Sequence, residues 1–176
     1  MTTNADPADA SARAAETPAA HKTAWAWAVA TVCGAGFLKP GPGTWGSLAA
    51  AALWYIGLRC AHLTGGAAIG ATALAALLVT LIGIPAASIV EREAGREDPG
   101  FVVIDEVAGQ WVVLAVCPLE FWHLLLGVAL FRLFDIVKPW PARQLERLHG
   151  GTGIVLDDLA AGAYGLLVML LVRHWW

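Results

Sequence analysis

The chain has 176 residues, enough for one domain and too few for two comfortable ones. Hydrophobic residues make up 58% and charged residues 14%, against roughly 45–50% and 25% in soluble domains. A water-facing shell cannot cover that much apolar surface, so the composition predicts an integral membrane protein. It excludes a chain disordered throughout and a disulfide-stapled secreted domain. The net charge of −3 argues against a nucleic-acid partner, which requires a basic face.

In chain order, residues 1–24 read as a disordered tail. They are rich in Ala, Thr, Asp and Pro, and they lack the basic start and apolar centre of a secretory signal. Residues 25–176 read as one membrane-embedded domain. Ser47 to Leu63 is apolar apart from Arg59 and His62, and "TGG" at Thr64–Gly66 breaks it. Ala67 to Val90 holds 24 residues without a charge, about 36 Å of helix at 1.5 Å per residue, with Pro85 as a site for a kink. That exceeds a hydrocarbon core of roughly 30 Å. A polar stretch, Glu91 to Glu106, follows. Leu159 to Val172 is the last apolar run, and Arg173, Trp175 and Trp176 behind it fit an interfacial anchor.

Val107 to Phe131 decides the topology. It is apolar but is interrupted by "CPLE" at Cys117–Glu120. We read it as a re-entrant hairpin, with Glu120 capping the tip and arms of about 11 residues, each about 17 Å long and too short to cross. The expected fold is therefore all-α: a compact integral-membrane helical bundle of about five apolar segments. All strongly polar stretches then fall on one face. Arg13, Lys22, Lys39, Arg92, Arg96, Arg132, Lys138, Arg143 and Arg147 lie there, against Arg59 and Arg173 on the other. Nine against two places the polar face in the cytoplasm.

Three acidic clusters abut apolar helices: Asp105–Glu106, Asp135 and Asp157–Asp158. Carboxylates at a lipid border are costly unless paired or bound to metal. Five gathered together repel one another, and a divalent cation relieves that. Oxygen ligands without His or Cys favour Mg²⁺ over Zn²⁺. Arg132, Asp135 and Lys138 lie three apart, so a helix puts them on one face before Pro139 ends it. Alone they would be a salt-bridge ladder; beside the other acids they offer Arg and Lys to a phosphate. Gly34–Ser47, with Lys39, and Gly150–Gly153 are Gly-rich loops able to aim N–H groups at a phosphate. Neither has the ending of a P-loop. His149 is a candidate proton donor. His62, His123 and His174 read as interfacial. Cys33, Cys60 and Cys117 match no metal or redox spacing and read as small core residues in a reducing compartment.

Together "KPGPGTWGSLAA", "VIDEVAGQW" and "FRLFDIVKPWPARQLER…GGTGIVLDDLAAG" resemble the phosphatidylglycerophosphatase A family, from about Phe37 to Tyr164. The resemblance implies an all-helical lipid phosphatase of the bacterial inner membrane. Its substrate would be a phospholipid, phosphatidylglycerophosphate, hydrolysed with Mg²⁺ to phosphatidylglycerol and phosphate. The family's acids fall on Asp105, Glu106, Asp135, Asp157 and Asp158, expected as catalytic residues and metal ligands. Its Arg and Lys fall on Arg132 and Lys138, and its first Gly/Pro-rich motif on Lys39, Pro42, Gly43, Thr44 and Ser47. Lys39, Arg132 and Lys138 are the expected phosphate-binding groups. Asp98 is a further candidate ligand. Two rivals stay open: another membrane lipid-phosphate enzyme such as a CDP-alcohol transferase, whose Asp spacing is absent, and a small cation-transporting protein, whose acids would sit at mid-membrane.

Overall fold

The computed structural model describes residues 22–175. Its regular structure among those residues is helical throughout: α1 (Ala24–Ala30), a 3-10 turn (Ala35–Phe37), α2 (Pro42–Cys60), α3 (Gly65–Ala94), α4 (Ile104–Leu114), α5 (Phe121–Val137), α6 (Ala142–Leu145) and α7 (Gly151–Trp175). The tail expected over 1–24 lies outside the described residues up to residue 21. Next to it, Thr23 and the Trp27 indole donate hydrogen bonds to the Glu93 carboxylate.

Helices α3 and α7 are long and apolar enough to cross a membrane. At 30 and 25 residues they measure about 45 and 37 Å. Helix α3 runs on through Pro85. Only 28% of its apolar stretch is buried inside the protein, and Leu74, Leu77, Leu78, Leu81 and Ile82 are all exposed. Those positions recur at three and four residues, so they form one continuous apolar face. Water would not tolerate it, whereas lipid solvates it. The molecule is a helical membrane protein.

The hairpin forms as α4 and α5, joined by a turn over 115–120. Helix α4 has the expected 11 residues, but α5 has 17, about 26 Å. The apolar count ended at Phe131, whereas the helix continues through Arg132 to Val137 because those charges sit inside the protein end of the bundle. Helix α7 packs most extensively against α4, with α3 and α5 on its other sides.

The packing sends the N-termini of α2, α4 and α7 and the C-termini of α3 and α5 to one end. Two contacts tie that end together. Gly151 N–H donates to Ser88 Oγ at 2.9 Å, and Val103 N–H donates to the Ala30 carbonyl at 2.8 Å. At the opposite end Arg173 reaches the Val116 carbonyl, and Glu120 pairs with His123 at 3.1 Å. Cys117 is buried as expected, but Cys33 and Cys60 are exposed: Cys33 follows the end of α1, and Cys60 is the last residue of α2.

Candidate active site

The acids converge at the polar end. Asp105 and Glu106 occupy the first turn of α4, and Asp157 and Asp158 the second turn of α7. Asp135 stands in the last turn of α5. Helices α4 and α7 meet closely because glycines face each other. A Cβ on Gly162 would come within 2.5 Å of the Gly109 carbonyl, and one on Gly109 within 2.5 Å of the Asp158 carbonyl. Only a backbone without a Cβ fits there, and that approach draws Asp158 against the α4 acids.

A cavity of about 150 Å³ opens among them. Its acidic lining is Asp98, Asp105, Glu106, Asp135, Glu146, Asp157 and Asp158, with Lys138 as the one base on its wall among the described residues. Asp105, Glu106 and Asp158 each present a ligand oxygen, and the three atoms lie within 4.8 Å of one another. Asp105 Oδ1, Glu106 Oε2 and Asp158 Oδ2 are buried without a hydrogen-bond partner. Buried carboxylate oxygens without partners are costly. Three clustered acids, each with such an oxygen, fit a hard divalent cation with oxygen ligands.

The other two acids hold bases. Asp135 accepts an ion pair from Arg132 at 2.7 Å, and Glu106 lies 3.9 Å from the same guanidinium nitrogen. Asp157 binds Lys138 at 2.7 Å, while its Oδ1 accepts the Asp158 backbone N–H. The Arg132–Asp135 step of the expected ladder is present. Lys138 leaves it: with φ 44° it is the C-cap of α5, and the chain turns there so that its amine meets α7 instead. Burial would lower the Lys138 pKa, but the hydrogen bond and charge of Asp157, with Glu146 beyond, outweigh burial and hold it above the ordinary lysine range. Burial raises the Asp98 carboxyl, opposed by the charge of Lys138.

Some expected residues stand apart. Lys39 is exposed before α2, and neither it nor Arg132 lines the cavity. His149 is exposed and off the lining. Gly43, from the Gly/Pro-rich motif, does reach the site: a Cβ there would collide with Glu106 Oε1 and meet Arg132 Nη1 at 2.9 Å. Two residues escaped the sequence reading. Gln110 is fully buried, with both amide atoms unpartnered, one turn beyond Glu106; a lone amide in an apolar run was its signal. Glu146 lines the cavity and meets Lys138 at 3.3 Å, and nothing separated it from an ordinary surface acid.

These features define a membrane-embedded enzyme with a carboxylate cavity, flanked by partly exposed bases, at one end of its helices. A family model described as phosphatidylglycerophosphatase A matches residues 28–173, and the chain belongs to that family. Among curated relatives, a protein of Bacteroides thetaiotaomicron named "Putative phosphatidylinositol-3-phosphatase" is 38% identical, covering 82% of this chain and 91% of its own length. The phosphatidylglycerophosphatase A of Haemophilus influenzae is 37% identical, covering 81% of this chain and 85% of its own. That of Escherichia coli is 34% identical, at 81% and 80%. No solved structure matches the chain.

Proposed function

We propose that this protein hydrolyses phosphatidylglycerophosphate to phosphatidylglycerol and phosphate, with Mg²⁺, at the cytoplasmic face of a bacterial inner membrane. The observation that carries this reading is the cluster of Asp105, Glu106 and Asp158, whose ligand oxygens lie within 4.8 Å of one another and each of which has a buried carboxylate oxygen without a hydrogen-bond partner, beside two partly exposed bases. A phosphate dianion cannot approach seven acids against one lysine without a cation to reverse the local charge.

Asp105, Glu106 and Asp158 would hold the metal, with Asp157 and Asp135 holding Lys138 and Arg132 in place. When bound, Mg²⁺ would polarise the phosphoryl oxygens and make a bound water acidic. The Lys138 ammonium on the cavity wall would balance charge on the terminal phosphate, and Arg132, behind that wall, would offset the charge of Asp135 and Glu106. Water adds its oxygen to phosphorus, the ester P–O bond breaks, and the glycerol oxygen leaves with a proton. The acyl chains stay in the bilayer, because the cavity end is ringed by exposed apolar side chains, among them Ile136, Trp140 and Phe37. Lys22, Lys39, Arg92, Arg96, Arg132, Lys138, Arg143 and Arg147 attach to that end and Arg59 and Arg173 to the other, which supports a cytoplasmic site.

The Bacteroides relative's name favours a second substrate, phosphatidylinositol 3-phosphate. Phosphate release from phosphatidylglycerophosphate, phosphatidylinositol 3-phosphate and phosphatidic acid, each with Mg²⁺ and with EDTA, decides between them. The proposal expects fastest release from phosphatidylglycerophosphate, abolished by EDTA. Faster release from the inositide favours the second reading, and release unaffected by EDTA rejects the metal.

A further inference from the structure

Lys138 has two anionic partners of unlike character. Asp157 lies 2.7 Å away, and its side chain is 6% exposed; Glu146 lies 3.3 Å away, and its side chain is 48% exposed. The first belongs to α7 and is anchored by a second bond to the Asp158 N–H. The second follows the four-residue helix α6, in the stretch linking α5 to α7, and its carboxylate lines the cavity. A buried pair is costly to break, whereas a half-exposed one is worth little. The two partners of Lys138 are therefore one permanent and one replaceable.

We infer that Glu146 is a displaceable anion that occupies the Lys138 ammonium until the substrate's terminal phosphate takes its place, so that Glu146 sets how tightly phosphorylated headgroups bind. This rests on the phosphatase reading above. Its chemistry is an exchange of anions on one ammonium. A monoanionic carboxylate gives way to a phosphate dianion, which gains more from the same charge at the same distance. Glu146 swings into water, where its exposure already places half of it. The carboxylate also repels the incoming phosphate across a cavity only about 150 Å³ in volume, so weakly phosphorylated or neutral headgroups cannot displace it.

The test compares wild type with Glu146→Gln and Glu146→Asp, reading KM and kcat for phosphatidylglycerophosphate and inhibition by inorganic phosphate. Removing the charge should lower KM and the inhibitory phosphate concentration about three- to tenfold, with little change in kcat, while Glu146→Asp should stay near wild type. An unchanged or raised KM in Glu146→Gln overturns the exchange and makes Glu146 an ordinary surface acid. A fall in kcat of tenfold or more also overturns it and makes Glu146 a ligand or catalytic group. A wild-type protein that releases no phosphate overturns the phosphatase reading itself, and the exchange with it.

Discussion

Asp157 and Asp158 are neighbours with different partners. Successive helical residues point about 100° apart, so one carboxylate turns to Lys138 and the other to Asp105 and Glu106. The two should therefore fail differently. Asp158→Asn is expected to lower phosphate release at least 100-fold and to weaken divalent-cation binding. Asp157→Asn should keep the cation site and raise KM, because Lys138 loses its anchor. Steady-state kinetics on both variants, with a cation-binding titration, separates the two roles. The raised Lys138 pKa has a defined sign. Wherever its carboxylate partners are ionised, the ammonium's pairing contributes to stability in full below the unfolded lysine value of about 10.4; on the alkaline side that contribution is lost as pH rises through the still higher folded value. Wild-type activity should accordingly show no alkaline fall due to Lys138 below about pH 10, as a pH–rate profile will report. The sequence marked all five acids as one ligand set. It could not divide them, because which neighbour a carboxylate faces depends on helix rotation, and spacing alone does not carry that.

At the scale of elements, the α4–α7 crossing holds the cation ligands together. Alanine would normally favour a helix over glycine by up to about 1 kcal/mol. At Gly162 the added Cβ meets a backbone carbonyl at 2.5 Å, and backbone cannot yield as a side-chain tip can. Overpacking of that kind costs about 1–3 kcal/mol, so the clash wins. Gly162→Ala should unfold at lower temperature in detergent and lose activity. Gly43→Ala should differ: its Cβ strikes the flexible ends of Glu106 and Arg132, so melting should hardly move while activity drops about tenfold or more through displaced site groups. Thermal melts and release assays on the same samples distinguish these cases. The hairpin itself was legible, since "CPLE" cannot continue an apolar helix. The length of α5 was legible in part: the apolar count stopped at Phe131, but the spacing of Arg132, Asp135 and Lys138 carried a helix on to Pro139, and α5 ends at Val137. Lys138 was placed one residue too far along the helical face, because a left-handed cap before a proline leaves the helical register.

For the whole molecule, the apolar excess of the sequence became an exposed leucine face on α3 and a polar end where five helix termini meet. Composition predicted the membrane, and the positions of the polar stretches put the acids at one end of the helices; the cavity itself lay beyond the sequence, because it arises from contacts between residues as far apart as Glu106 and Asp158. A larger hollow, about 540 Å³, lies at the far end between Trp122 and Trp175. Its almost wholly apolar lining gives it no means of phosphate chemistry. The central claim is that carboxylates of α4 and α7 share one divalent cation at the polar end of the bundle. A titration of the purified protein with Mn²⁺, followed by electron paramagnetic resonance, tests this without any lipid. Saturable binding by wild type, displaced by Mg²⁺ and weakened at least tenfold in both Asp105→Asn and Asp158→Asn, is the expected result. Equal Mn²⁺ affinity in wild type and both variants would contradict it.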